Sequence, residues 1–593
     1  MKRILVFATL LGLVALGCEG LWRAAPETFW SNFSTNLYRI MQLFVLEGDW
    51  TSNMNPLPWE ISVVRIVAPL SMIFSLIMVF MRDSWRSLTN YFVRFKKGHI
   101  IIAGLGDKGL HFAQSCVSSG FRCVFIEADK DNPLIERIIS AGVPVIVGDA
   151  LNENVLKKAG LSSAADLVTL AGSNGGNVEI ALRVKRYICR TSRQRDRALR
   201  IHVHVTDFHL ANHFEEYPRF FTDYDVAEVS FFDTSELAAR QLLRDHSVDV
   251  FADAFGQKRV HIVILGFNEF SEHMVVQIAR TCWFADGLPP RITIIDMGLN
   301  FDAIRLGQIN EGIVNLCDIS VHGLSLDENW MDQADFREVL QGVTSYIVCF
   351  QDVELGLKHA LRLRRSTLQH TELNAPILLR MEKAAGLADL LESRGSEPQV
   401  PDGIFPFGML EDVLSIENVI DKQLDQLARF VHEAYLSTVK STESAPNTVP
   451  WERLPEVYRK ENRQVGDHLA AKLRGIGCCI SQSATRALEF SDAEIDILAQ
   501  MEKQRWNASR SIAGWRYGPI RSDLGKIHPL LVPWERLTSE QQEIEREEAR
   551  TSLPLEIGKL SVQRQFIVGI CADNVADTHL NTKAIEDVQA HLN

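Results

Sequence analysis

The chain has 593 residues, too many for one hydrophobic core, and 46% of them are hydrophobic, an ordinary globular share. With 62 Lys and Arg against 75 Asp and Glu the formal net charge is −13, which argues against nucleic acid as the main partner, because a phosphate-binding surface should be basic. The 10 Cys form no CxxC pair and no Cys/His cluster at zinc spacing, so no metal site is expected and the thiols read as buried or free in a reducing compartment.

Met1-Lys2-Arg3 precedes an apolar run from Ile4 to Gly17 that extends to Leu21 and Trp22. It reads as a first membrane span over 4–22, or as a secretory signal, with Leu13-Val14-Ala15-Leu16-Gly17-Cys18 hinting at a lipoprotein cleavage site. A second apolar run, Ile61 to Met81, is about twenty residues long, enough to cross a hydrocarbon core. Arg82, Arg86, Arg94, Lys96 and Lys97 follow it, and Lys2 and Arg3 open the chain. Two spans with both ends inside form a consistent hairpin, while a cleaved signal leaves one span and the same cytoplasmic body. The expected location is a bacterial inner membrane, with most of the chain in the cytoplasm.

The loop between the spans, 29–50, carries apolar residues at helical spacing from Phe29 to Phe44, then Val45-Leu46-Glu47-Gly48-Asp49-Trp50. Helix, short loop and helix between two spans resembles the pore unit of two-span potassium channels, with Gly48-Asp49 where that family has its last Gly-Asp. The family's TVGYG filter is absent, and Glu47 stands in its tyrosine slot. Carboxylate rings select cations by charge, so Glu47, Gly48 and Asp49 are pore candidates. The alternative is an amphipathic helix lying on the bilayer with an acidic turn. Arg65 either snorkels to the interface or pairs with one of these acids.

After residue 97 the character changes. His99-Ile100-Ile101-Ile102-Ala103 leads into Gly104-Leu105-Gly106-Asp107-Lys108-Gly109, and a helical pattern follows from Leu110. Strand, glycine turn and helix start is the context that a G-x-G-x-x-G dinucleotide fingerprint needs. Gly104 permits the turn, Gly106 lets the backbone approach a pyrophosphate, and Gly109 lets helix and strand pack. The helix N-terminus then faces the phosphates. A second strand, Cys123 to Ile126, ends in Glu127-Ala128, about twenty residues past the turn, where an acid bonds a ribose hydroxyl. The alternative for Glu127 is a solvated strand end. Further strands are expected at 143–147, 166–171 and 201–205, the last of them closing the sheet. Gly148-Asp149-Ala150 follows the first of these, and Asp149 reads equally as a helix cap or a ligand contact. His202 and His204 share a strand face and read as a packed or surface pair rather than a metal site. Alternating strands and helices imply a doubly wound parallel sheet.

Gly104, Gly106, Gly109, Glu127, Gly148-Asp149-Ala150 with Leu156 to Gly160, and Asn174 with Asn177 fall in the order of the RCK or TrkA-N family, which this stretch of about 98–250 resembles. The resemblance implies a nucleotide-sensing regulatory domain of potassium channels and transporters. Gly104 to Gly109, Glu127, Ala128, Asp149, Ala150 and Asn174 would contact NAD or an adenine nucleotide (ATP or ADP) as a regulatory ligand.

A second strand-turn-helix begins at Val260 to Gly266, but Gly266-Phe267-Asn268-Glu269-Phe270-Ser271 keeps only the first glycine. Asp296 follows the next strand, Cys317-Asp318 falls where the first copy has Gly148-Asp149, and later strands are expected at 345–350 and 377–380. This reads as an internal repeat over 258–425. Asn268 and Ser271 place side chains where a pyrophosphate needs bare backbone, so dinucleotide binding is not expected there. Tandem modules of this kind resemble RCK proteins that assemble into rings around a pore.

The remaining region, 426–570 with a tail over 571–593, opens on an amphipathic stretch, Leu427 to Leu436. A polar linker, 437–450, separates that stretch from further helices. Glu502, Arg505, Trp506, Gly514, Trp515, Tyr517, Gly518, His528, Pro529 and Leu531-Val532-Pro533 resemble the RyR domain, a small helical ligand or docking module, over about 450–560. Lys503 stands where bacterial members often have His. Arg505, Trp515, Tyr517 and Arg521 are the candidate pocket, flat faces for a planar group with cations for phosphates, while Trp515 and Tyr517, in a Gly-bounded loop, read equally as core. Trp506 and Trp534 read as core.

The expected fold class is therefore α/β: a two-helix transmembrane hairpin with a re-entrant pore-like loop, tandem Rossmann-like sheets, and a mainly helical RyR domain. The expected function is a ligand-gated, cation-conducting channel or channel-like sensor, a homotetramer in the lipid membrane. The alternatives are a non-conducting regulatory subunit beside a transporter partner, and a membrane-acting antiviral effector triggered by a nucleotide. No His, Cys or Lys acid–base constellation suggests an enzyme.

Overall fold

In the computed structural model the described residues are 2–47, 49–74, 97–191, 197–215, 226–254, 256–284, 288–296, 313, 316–323, 338–369, 375–383, 403–438, 447–480, 490–556 and 562–564. They form two units, Met1–Phe95 and Lys96–Asn593.

In the N-terminal unit helix α1 (Lys2–Ala24) packs on α2 (Phe33–Phe44), and a further helix covers 59–74. Leu13, Leu21, Phe29, Ile40, Leu43, Ile61 and Val64 form the core. The helices approach closely at two glycines: a Cβ on Gly20 would lie 2.9 Å from both Glu60 Cβ and Ile61 Cγ1, and one on Gly17 would lie 3.0 Å from Ile40. Arg23 pairs with the buried Glu60 at 2.8 Å, and Arg65 is exposed. Glu47 and Asp49 are exposed; Gly48 lies outside the described residues. Among the described residues no helix is long and apolar enough to cross a membrane, so the expected hairpin finds no support here. Of the second expected span, 61–74 is helical, and 75–81 lies outside the described residues.

The second unit contains two six-stranded parallel sheets. The first comprises β1 (Ile100–Ala103), β2 (Cys123–Glu127), β3 (Val145–Val147), β4 (Asp166–Thr169), β5 (Leu199–His204) and β6 (Ala227–Phe232), in the order β3-β2-β1-β4-β5-β6. The second comprises β7 (His261–Leu265), β8 (Arg291–Asp296), β9 (Asp318–Gly323), β10 (Ser345–Val348), β11 (Ile377–Arg380) and β12 (Ile404–Phe407), in the order β12-β11-β10-β7-β8-β9. Renumbered from its own first strand this is the same topology, so the internal repeat is real. Both sheets are doubly wound, with the strand order reversing beside the first strand.

Two corrections to the sequence reading follow. The first sheet does not end at 205: β6 pairs with β5 from Leu199↔Ala227 to His204↔Phe232. And Asp318 does not follow a strand as Asp149 follows β3; it opens β9, where its carboxylate takes Arg259 at 2.9 Å.

The two sheets exchange packing elements. Helix α3 (Asp107–Ser118) follows β1, α4 (Asn174–Thr191) follows β4, α5 (Thr234–Asp245) follows β6, and α6 (Glu269–Thr281) follows β7. Leu237, Ala238 and Leu242 of α5 lie in the core of the second sheet with Ile262, Phe270 and Met274. In return Leu410, Leu414, Ile416, Val419 and Ile420, beyond β12, lie in the core of the first sheet with Leu110, Phe112 and Phe125.

The C-terminal region is itself duplicated, which the sequence reading missed. Val449-Pro450-Trp451-Glu452-Arg453-Leu454 recurs identically as Val532 to Leu537. Each copy makes a 3-10 turn, Trp451–Arg453 and Trp534–Arg536, with its Trp buried. Each joins two helices: α7 (Gln426–Thr438) to α8 (Glu456–Gly475), and α9 (Asp492–Ile512) to α10 (Ser539–Glu556). The valine carbonyl before each turn accepts from the preceding helix, from His432 at 2.7 Å and from Asn507 at 2.8 Å. Helix α8 carries Arg459, Arg463, Asp467 and Arg474 along one face, spaced by four, four and seven residues. Arg459 reaches Glu228 of β6 at 2.9 Å, Asp467 takes both Arg240 of α5 and Gln277 of α6, and Arg474 holds Asp249.

Candidate functional site

The glycine turn sits at the switch point of the first sheet, between the C-terminal ends of β1 and β4. Its glycines have separate steric reasons. Gly104 has φ +107, and a Cβ there would lie 2.5 Å from Leu170 O; a Cβ on Gly109 would lie 2.3 Å from Gly104 O. Gly106 faces open space within 4 Å and no side chain caps the helix that follows it, so the turn presents bare main chain at the positive end of a 12-residue helix.

Glu127, at the end of β2, is folded back onto this turn. One carboxylate oxygen accepts the Leu105 N–H at 2.7 Å and the other the Asp129 N–H at 2.8 Å. It is buried rather than a solvated strand end. Asn132 donates to Leu105 O at 2.8 Å and pins the turn from the other side.

Asp149 is exposed and accepts the Leu151 N–H at 2.8 Å, so it makes a local turn, while the helix cap is Asn152. Ala128 is exposed beside Glu127, and Ala150 is buried. Asn174 is taken up by Thr206, whose N–H it accepts at 3.0 Å, and Asn177 cross-links the ends of β4 and β5 through Ala171 and His204 O. The structure thus brings Gly104 to Gly109 and Glu127 together, and gives Asp149 and Asn174 bonds within the chain.

Lys108 does not face the mouth. Its Nζ lies 3.2 Å from His204 Nε2 and 3.1 Å from Thr234 Oγ1, at the start of α5. Burial lowers its pKa, against the pull of Asp233. His204 is pushed down to about 4 by burial and by Lys108 beside it, so the ring is neutral and can accept from the ammonium. His202, on the same strand face, pairs with Asp166 at 3.1 Å, so the two histidines are a packed pair. One residue before Thr234, Asp233 caps α5 through the Ser235 N–H and pairs with His273 of α6 at 2.6 Å. Sequence reading missed Asp233, Thr234 and His273; the Asp-Thr-Ser cap signal was visible, its partner in the second module was not.

The corresponding turn of the second module is filled. Asn268 and Ser271 form a reciprocal cap on α6, Asn268 also donates to Cys349 O, and Phe350 lies over Gly266, where a Cβ would meet it at 3.0 Å. Side chains thus stand where the first module has its bare glycine turn.

In the C-terminal region the expected pocket does not assemble. Arg505 is buried and bonded to Glu502 at 2.5 Å, and Arg521 is paired in solvent with Asp523 at 2.8 Å. Tyr517 is exposed. Trp515 packs edge-on to His528 and under the Arg510 guanidinium, 5.2 Å from its centroid. His528 and Arg510 also contact Trp506. The aromatic and cationic groups that meet are therefore Trp506, Arg510, Trp515 and His528. Among the described residues no cluster of His, Cys, Asp and Glu is placed to hold a metal ion.

The comparisons with known proteins fall on these elements. Residues 100–203 match the TrkA-N domain. Residues 489–557 match the RyR domain, a narrower span than the 450–560 expected. No curated protein matches. Among solved structures, the chain is similar to a crystal structure of GsuK bound to ADP, with 15% identity, 71% of this chain and 99% of that chain covered, and a TM-score of 0.36. It is also similar to the GsuK channel bound to NAD (12%, 71% and 83%, 0.38) and to the human SLO3 gating ring (12%, 56% and 84%, 0.40). At these TM-scores the likeness carries no argument about function.

Proposed function

We propose that the chain is a membrane-anchored regulator in which a nucleotide bound at Gly104 to Gly109 controls a channel-like N-terminal unit. The observation that carries this reading is the open main chain at Gly106, at the switch point of a sheet whose TrkA-N match begins at Ile100. Anionic ligands bind at such a helix start because its N–H groups point outward unpaired. The ligand is NAD or an adenine nucleotide, and Glu127 exchanges its bonds to Leu105 and Asp129 for ribose hydroxyls when the ligand arrives. A sensor needs only different affinities in two conformations, so the reading assigns no catalysis.

Membrane insertion is supported by the two apolar runs and by the surface of the N-terminal unit, which exposes Trp30, Tyr38, Leu46, Trp59, Ile66 and Leu70. Apolar surface of that density asks for lipid or neighbouring copies. In a tetramer Glu47 and Asp49 ring an axis and select cations by charge. The same exposed surface also suits a non-conducting regulator seated against a transporter. Liposome flux measurements with and without ADP, ATP and NAD test the reading. Nucleotide-dependent cation flux abolished by Glu47→Gln and by Gly106→Val is expected. Nucleotide binding with no flux, together with a co-purifying transporter, refutes the channel and leaves the regulator; no binding refutes both.

A further inference from the structure

The mouth of the glycine turn is not built from the first module alone. Lys383, three residues beyond β11 of the second sheet, sets its Nζ 2.8 Å from Asp107 Oδ2. Asp107 is the first residue of α3, immediately after Gly106. The ammonium therefore stands one side chain away from the bare N–H groups of the turn. Its neighbours are committed elsewhere: Arg380 is paired with Glu382 at 3.1 Å, and Lys108, the lysine inside the fingerprint, is turned towards His204 and Thr234.

The Asp107–Lys383 bridge is placed to be exchanged rather than to hold the fold. Both side chains are 58% exposed, and an exposed pair of this kind contributes little to stability. Its acid stands on the positive end of a helix, where a phosphate would be favoured for the same reason. A phosphate arriving at Gly106 meets the same helix end as the Asp107 carboxylate and offers Lys383 a better-charged partner.

We propose that the phosphate site is composite: the first module supplies main-chain N–H groups, the second supplies the Lys383 ammonium, and Asp107 occupies that ammonium until the diphosphate of a nucleotide displaces it. The proposal rests on the nucleotide reading above and adds the residue through which the second module reads the ligand. The diphosphate comes from a nucleoside diphosphate or from a dinucleotide, and the two are separated by titrating ADP and NAD individually.

The test is calorimetric titration of the full-length, detergent-solubilised chain with ADP, NAD and adenosine. Lys383→Gln is expected to weaken binding of the diphosphate ligand by about three- to tenfold and to leave adenosine unchanged. Lys383→Arg should restore most of the loss. Asp107→Asn should tighten binding, because the competing carboxylate is gone. Lys358→Gln, an exposed lysine on the helix Val353–Gln369, is the control for net charge. If ADP or NAD binds and Gly106→Val abolishes it, but Lys383→Gln stays within twofold or merely equals Lys358→Gln, the composite site is overturned while the nucleotide reading stands. If neither ligand binds the wild-type chain, the nucleotide reading fails and the proposal falls with it.

Discussion

The Asp233–His273 pair allows the coupling between the two Rossmann modules to be tested by charge alone. The side chains lie 2.6 Å apart and are 5% and 9% exposed, so neither is screened by water. Removing one partner of a buried pair costs about 3–5 kcal/mol, because the other charge is left unpaired. Asp233→Asn keeps an acceptor for the Ser235 N–H and lets His273 go neutral, which places it at the lower end, about 3 kcal/mol; Asp233→Ala also loses the cap, about 1 kcal/mol more. The pH dependence has a definite sign. Burial lowers the His273 pKa, but Asp233 outweighs it and the net shift is upward, so this contribution is full below the unfolded value near 6.5 and is lost as pH rises through the raised pKa. Burial raises the Asp233 pKa, but His273 outweighs it and the net shift is downward, so that contribution is present above 3.8 and is lost as pH falls through the lowered pKa. The wild-type advantage over Asp233→Asn should therefore be largest between about pH 4 and 6.5 and shrink on both sides. Hydrogen exchange of the amides in α5 and α6, read by mass spectrometry on the full chain, measures it locally and avoids a multidomain melting curve that is not two-state. Equal protection in wild type and Asp233→Asn at pH 6, or a difference that grows steadily towards pH 9, refutes the reasoning.

Other outcomes are expected from the same geometry. Gly109→Ala should disrupt the first sheet, since its Cβ would lie 2.3 Å from Gly104 O, whereas Gly106→Ala should leave thermal stability nearly unchanged and weaken nucleotide binding; circular dichroism and calorimetry separate the two. His204 and His261 are each pushed down to about 4, chiefly by burial, so the unfolded chain binds more protons between pH 4 and 6.5. Acid should then cost about 3 kcal/mol per histidine by pH 4, and His204→Gln should flatten that slope in the pH dependence of hydrogen exchange at the β5 amides. Arg240→Ala removes the buried guanidinium shared by Asp425 and Asp467, leaving Asp425 to Arg463 and Asp467 to Gln277, so exchange in α8 should rise by a factor equivalent to about 3 kcal/mol. Arg505→Ala should destabilise the C-terminal region, where Arg505 holds Glu502, while Trp515→Ala should be milder because its ring is only half-buried; differential scanning fluorimetry ranks them.

What the sequence disclosed follows the range of the interactions. β1, the glycine turn, β2 and Glu127 were readable because their signals are local: β-branched runs, glycine spacing and an acid at a strand end. β6 and β12 were missed because each is a short edge strand, and β12 carries Pro406, which argues against a strand until β11 is seen beside it. Cys317-Asp318 was misplaced because its register was borrowed from the first copy, while in the second copy Asp318 has moved into the strand to meet Arg259. Arg505 was read as a pocket residue from its aromatic neighbours, although Glu502, one helical turn back, was visible as its partner. The charged face of α8 was not read from the sequence, because Asp249, Arg240 and Glu228 lie more than 200 residues away from their partners and no spacing rule connects them.

Duplication explains the division of labour better than either copy does alone. A Rossmann module with an open turn must keep the main chain of its helix start uncovered, so contact with its neighbour there is limited to an exposed pair, Asp107 with Lys383. The second module has no such constraint. Asn268 and Phe350 close its turn, and its freed edge supplies His273 and Lys383 to the first module. The C-terminal pair divides in the same way: α8 is bound to both sheets through Arg459, Asp467 and Arg474, whereas its counterpart α10 pairs Arg546 and Arg550 with acids of its own helix and of α9. In the Rossmann pair the second copy closes its turn while the first leaves main chain open at Gly106, so a ligand arriving on the open copy meets a neighbour already in contact with it. A mutation that reopens the second turn, such as Phe350→Ala, should then loosen the contacts around His273 without creating a second nucleotide site, because Asn268 and Ser271 still cover the main chain.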